Sequence, residues 1–144
     1  MNTISITKIS LTFFLLTGLF AMPQYARAQK RKEIKNAGVS SKKEWCSIYT
    51  NDTEKKYLQS EYEYDRNGNI LLEKEYDENS NVIIHKEYKY DAKGNEILKI
   101  TYNPKGQIVE KEETTYKNDL KLEKKVYGSN GKLKGRKTFD YKTY

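Results

Sequence analysis

The sequence predicts an all-β protein: an antiparallel meander of about seven strands, built from hairpin repeats of about 26 residues and forming a single curved sheet or open spiral. Three observations predict it. Turn segments led by a tyrosine recur at Tyr64, Tyr76, Tyr90, Tyr102, Tyr116 and Tyr127, and Tyr141 closes the series at spacings of 12, 14, 12, 14, 11 and 14. Apolar and charged residues alternate with period two between the turns, as on a sheet with one dry and one wet face. Asn, Asp and Gly occupy the turns themselves, as in Tyr64-Asp65-Arg66-Asn67-Gly68-Asn69 and Tyr90-Asp91-Ala92-Lys93-Gly94-Asn95.

The chain begins with the layout of an export signal. A short polar start with one positive charge precedes the apolar run Ile9 to Met22, then Pro23 and the small-x-small triplet Ala26-Arg27-Ala28. Residues 1–28 are expected to be a signal peptide cleaved after Ala28. The run is shorter than the ~20 apolar residues of a spanning helix, so no membrane span is expected after cleavage. The protein is thus expected to be exported, either periplasmic or secreted, with the cell surface as a further destination. The chain that remains carries a net charge of +5, a mild excess spread among many acids. Export and that charge make nucleic acid a poor partner.

Residues 29–55 are expected to be flexible or to cover the sheet, using Ile34, Val39, Trp45, Ile48 and Tyr49. Gln29–Lys43 is rich in lysine and poor in apolar residues, so its first part reads as flexible. Cys46 is the single cysteine, and two readings stay open: a thiol that pairs with another chain, or a partly buried one beside Trp45. Asn51-Asp52-Thr53 fits the N-glycosylation pattern, which matters only in a eukaryotic secretory pathway.

Residues 56–144 are the β-repeat domain, with strands predicted at 56–65, 69–77, 81–91, 95–103, 107–117, 119–128 and 132–142. Gly68, Gly94, Gly106 and Gly131 supply the positive φ of a type I turn followed by a one-residue bulge. Ser80 stands where the second turn would have glycine, and Pro104 suits the turn after Asn103. Tyr62, Tyr64, Tyr76, Tyr88, Tyr90, Tyr102 and Tyr116 share one parity with Ile70, Leu72, Val82, Ile84, Leu98, Ile100 and Ile108. This predicts one tyrosine-rich face and makes those seven tyrosines the candidate binding surface. A sheet with one apolar face needs a cover: its own curl, the N-terminal segment, or a second copy in a homodimer.

The recurring Tyr-Asp-x-x-Gly-Asn hairpin resembles the YD repeats of bacterial RHS-type secreted and cell-surface proteins. The likeness rests on Tyr64-Asp65, Gly68-Asn69, Tyr76-Asp77, Tyr90-Asp91 and Gly94-Asn95, within about residues 57–144. It implies a long β-sheet strip; the chain is too short for the toxin-enclosing shell of the large members. Tyr127-Gly128-Ser129-Asn130-Gly131-Lys132 also resembles a MORN-variant repeat, found in small bacterial proteins labelled antitoxin-like.

One cysteine and one histidine exclude an intramolecular disulfide, a Cys/His zinc cluster and a histidine pair. His85 sits mid-strand between Ile84 and Lys86, with the parity of the wet face, and reads as a surface histidine rather than a catalytic base. The turns offer too few oxygens for a calcium loop. The expectation is a protein that is not an enzyme, holds no cofactor or metal, and binds a protein or glycan of the cell envelope, or a secreted partner, through its sheet surface. The alternative expectation is an antitoxin-like or immunity protein masking a toxin in the periplasm.

Overall fold

The computed structural model describes residues 24–144, with side chains from Gln29 onward. Apart from the backbone of 24–28, the expected signal peptide lies outside the described residues. The chain is an all-β meander preceded by one helix, α1 (Gln24–Asn36). Eight strands follow: β1 (Ser41–Thr50), β2 (Thr53–Tyr64), β3 (Ile70–Tyr76), β4 (Val82–Tyr90), β5 (Glu96–Tyr102), β6 (Ile108–Lys117), β7 (Leu120–Gly128) and β8 (Leu133–Thr138). They form one antiparallel sheet in the order β1-β2-β3-β4-β5-β6-β7-β8, so the sheet is open and β1 and β8 are its edges.

The eighth strand comes from the segment read as flexible or covering. Its first part forms α1, where Ala, Gln, Lys, Arg and Glu are good helix formers. Gly38 ends the helix at φ 64°, with the Gly38 N–H on the Lys35 carbonyl and the Val39 N–H on the Ile34 carbonyl, both at 3.1 Å. β1 then pairs with β2 across the two-residue turn Asn51-Asp52, whose φ angles of 47° and 62° suit a type I′ hairpin.

Five of the remaining turns share one construction. In the first, Asp65 N–H donates to Asn69 O and Gly68 N–H donates to Asp65 O, both at 2.9 Å. The Asp65 carboxylate also accepts the backbone N–H groups of Asn67 and Asn69, at 2.8 and 2.9 Å, and the Asn69 amide at 2.7 Å. The pattern recurs at Asp77–Asn81 and Asp91–Asn95. At Asn103–Gln107 the Asn103 Oδ1 still accepts the backbone N–H groups, but the side-chain bond reverses, with the Asn103 amide donating to Gln107 Oε1 at 3.0 Å. Gly128–Lys132 keeps the backbone bonds, and Asn130 Oδ1 accepts the Lys132 N–H at 3.0 Å.

Each hairpin carries a second bulge, in its returning strand, that the parity reading did not count. Tyr64 pairs with Ile70 but Glu63 pairs with Leu72, so Leu71 is extra. Ile83, Ile97, Val109, Leu122 and Lys134 are the equivalent extra residues in β4 to β8. The glycine bulge keeps even residues opposite even ones; the second bulge inverts that relation. At Asn118-Asp119 the turn has only two residues, and the same second bulge then preserves parity. The expectation of one dry and one wet face is therefore corrected. Paired residues run Glu63–Leu72–Glu87–Ile100–Lys111 across five strands on one face, and Tyr62–Glu73–Lys86–Thr101–Glu110 on the other. Both faces mix charged and apolar side chains.

Burial follows from this mixing. Tyr64, 6% exposed, is the one buried hydrophobic residue among those described. The sheet is a single layer stabilised by cross-strand pairs, each contributing roughly 0.2–1 kcal/mol. Lys74–Glu61 at 3.7 Å and Lys86–Glu73 at 3.6 Å are examples. The buried Glu112 carboxylate on β6 is held between Lys99 of β5 and Lys124 of β7.

Candidate functional site

The register gives the 26-residue period its meaning. Two strands and two turns return the chain to the same face and the same end of the sheet. Tyr64, Tyr90 and Tyr116 therefore stand in one row, at the ends of β2, β4 and β6, with Tyr62 and Tyr88 behind them on the same face. Neighbours in the row are two strands apart, about 9–10 Å. Tyr76 and Tyr102 lie on the opposite face, at the ends of β3 and β5, and Tyr127 on β7 extends their row. Of the seven candidate tyrosines, five share one face and two the other. The single seven-tyrosine surface is thus replaced by two rows.

The rows differ in how their hydroxyls are held. Tyr90 OH donates to the Ile70 carbonyl at 3.0 Å and Tyr116 OH to the Glu96 carbonyl at 3.1 Å, each reaching back 20 residues. Tyr64 opens the row with no preceding unit in this register, and its buried hydroxyl has no hydrogen-bond partner. Behind this row, Tyr88 OH donates to the Glu73 carboxylate at 2.6 Å. In the row on the other face every acceptor is a carboxylate. Tyr76 OH donates to Glu61 at 2.6 Å, Tyr102 OH to Glu87 at 2.9 Å, and Tyr127 bonds Glu113. Burial, then the bond and charge of Glu61, push the Tyr76 hydroxyl up to about 12. Tyr102 is raised by burial and then by Glu87, while Tyr62, Tyr64 and Tyr116 are raised chiefly by burial.

Aliphatic side chains gather on the Tyr76/Tyr102 face. Leu71, Leu72, Leu98 and Ile100 floor a shallow hollow of about 240 Å³, rimmed by Glu63, Glu87 and Lys89. The sequence reading left Leu71, Ile83, Ile97 and Val109 unassigned. The signal for them was the apolar run just after a turn, as in Ile70-Leu71-Leu72, which breaks period two where the bulge falls. His85 stacks on Tyr102 with ring centroids 4.4 Å apart, half-buried, its Nε2 3.5 Å from Glu87. Its setting is an aromatic contact rather than an open surface.

The turn glycines Gly68, Gly94, Gly106 and Gly131 have φ of 77°, 84°, 77° and 72°. Ser80 takes φ 66° in the equivalent place. Helix α1 lies against the first two of these turns. The Arg31 carbonyl occupies the space of a Gly68 side chain, and the Arg31 guanidinium sits where a Gly94 Cβ would be 2.9 Å away. Lys30 Nζ is 5.7 Å from the Tyr62 ring centre, and Ile34 and Val39 line a small hollow with Tyr64 and Asp65. In the turns, burial alone would raise the Asp65 carboxyl, but its bonds from Asn69 and Asn67 hold it below the usual range. The Asn81 and Asn95 donors do the same for Asp77 and Asp91.

Cys46 is half-buried on β1, next to Tyr57 of β2. Among the described residues no three His, Cys, Asp or Glu side chains converge as a metal site requires. No helix among them is long and apolar enough to cross a membrane. Compared with known proteins, the chain matches no family model and no curated protein.

Proposed function

We propose that the protein is an exported, non-catalytic β-repeat protein, with hairpins of the YD type, that binds a protein or glycan of the envelope, or a secreted partner, through its sheet surface. It works in the periplasm, outside the cell, or at the cell surface. One observation carries the reading: the tyrosines recur at a regular interval on a single-layer sheet whose faces, beyond the α1 end, are open to a partner. Half-exposed aromatic rings backed by Lys–Glu pairs offer flat contact with little conformational entropy to lose. The leader-like start of the chain supports the address.

The test is capture of envelope glycans and envelope proteins by the immobilised protein, with Tyr62→Ala and Tyr88→Ala combined as the variant. These rings lie two residues inside the ends of β2 and β4, behind Tyr64 and Tyr90. Loss of capture by on the order of tenfold or more is expected, with the near-ultraviolet dichroism of the other tyrosines retained. Undiminished capture by a folded variant would remove this face from consideration.

A further inference from the structure

Charge is distributed unevenly along the sheet. Residues 29–119 hold 17 Lys and Arg against 18 acids, a net charge of −1, whereas residues 120–144 hold eight against two, a net charge of +6. That last stretch is β7, the edge strand β8 and the residues after it. Lys124 is engaged by Glu112, and Lys125 and Arg136 share Glu123. Lys132, Lys134, Lys137 and Lys142 are all exposed and form no ion pair among the described residues.

Apolar side chains are exposed in the same strip. Leu120, Leu122 and Leu133 are each more than two-fifths exposed, and Tyr141 is half exposed. Tyr127 pairs with Leu133 across β7 and β8, and Lys137 Nζ lies 5.1 Å from the Phe139 ring centre. Lysines protect an edge against strand pairing, so a protein partner adding a strand to β8 is disfavoured. A soluble polyanion would use the lysines and leave the leucines in water. Unpaired lysines interleaved with leucine, tyrosine and phenylalanine match an interface where headgroups meet acyl chains: the cations contact phosphate, and the apolar side chains enter the boundary.

We infer that the β8 edge and the residues following it dock the protein peripherally on an anionic lipid surface. The site is separate from the tyrosine rows, so the sheet faces stay free for another partner.

Vesicle flotation of the full chain tests this, comparing phosphatidylcholine alone with vesicles containing about one-third phosphatidylglycerol. Any contribution of the apolar run at residues 9–22 is common to every variant and cancels. The expected result is stronger binding to the anionic vesicles, lost at roughly 0.5 M salt. Replacing Lys132, Lys134, Lys137 and Lys142 together with Gln lowers that binding ~100-fold or more. Replacing Lys132 and Lys142 alone, both outside β8, lowers it about tenfold and leaves the strand untouched. An equal-charge control (Lys32→Gln, Lys43→Gln, Lys55→Gln and Lys56→Gln at the α1 and β1 side) keeps it. Equal losses in the edge and control variants would reduce the effect to net charge and overturn the proposal. So would equal binding to both vesicle types, or binding to soluble polyphosphate with none to vesicles.

Discussion

The two ends of the sheet are made from the same turn chemistry but meet different neighbours. The turns of β2–β3, β4–β5 and β6–β7 sit at one end with helix α1; those of β3–β4, β5–β6 and β7–β8 sit at the other, in the open. At the helix end Gly68 and Gly94 have Arg31 where a side chain would go, and Lys93 and Asn95 reach Asp119 of the next turn, at 2.9 and 3.3 Å. At the open end Gly106 and Gly131 have nothing within 4 Å of a side chain's position, and Ser80 stands in the equivalent place. Glycine at the helix end thus answers two demands, positive φ and close approach. At the open end it answers only the first, and serine is tolerated there.

The largest expected effect separates these demands. Gly106→Ala should lose about 1–2 kcal/mol, the penalty of a left-handed residue alone. Gly68→Ala bears the same penalty and also collides with the Arg31 backbone, so it should lose more, or displace α1 altogether. Urea midpoints measure the first outcome, and loss of helical dichroism the second. Equal losses at the two glycines would mean that α1 does not rest on the turn.

Much of the fold was legible because the turn residues act locally. Asp or Asn followed three places later by Gly specifies its hairpin whatever the strands do, and the period of 26 follows from counting two such turns. Face assignment was not legible from parity, because it depends on the sum of two bulges in each hairpin. The turn glycine announces one; the other shows at best as the middle of three consecutive apolar residues, as at Leu71 and Ile83. Miscounting one residue moved Tyr76 and Tyr102 to the wrong side. The strand β1 was hidden differently. Its sequence, SKKEWCSIYT, alternates poorly, and what makes it a strand is the ready-made edge of β2 beside it.

A smaller effect follows from how the helix-end tyrosines are held. Tyr116→Phe deletes the hydrogen bond to the Glu96 carbonyl and should lose about 1 kcal/mol. Tyr64→Phe removes a buried hydroxyl that has no partner and should be neutral or stabilising. Both substitutions keep the ring, so the thermal midpoints of the two variants isolate the hydroxyl. A loss at position 64 matching that at 116 would mean that the first unit of the row is stapled like the later ones.

The smallest effect at neutral pH is also the one that tells the ends apart spectroscopically. At the helix end the hydroxyls of Tyr90 and Tyr116 donate to backbone carbonyls; at the open end Tyr76 and Tyr102 donate to carboxylates. A phenolate at Tyr76 would lose its burial advantage and face the charge of Glu61, which is why its value rises to about 12. The folded value lies above the ordinary ~10, so the contribution of Tyr76 to stability is complete below pH 10. It is lost as pH climbs through about 12. Followed by phenolate absorbance, Tyr76 should titrate after the exposed tyrosines. Glu61→Gln removes the charge that opposes the phenolate and should bring Tyr76 earlier, leaving Tyr116, which is raised by burial and then by Glu96 and Asp91, where it is. If Glu61→Gln shifts no tyrosine, the carboxylate is not the acceptor, and the two ends hold their hydroxyls in the same way.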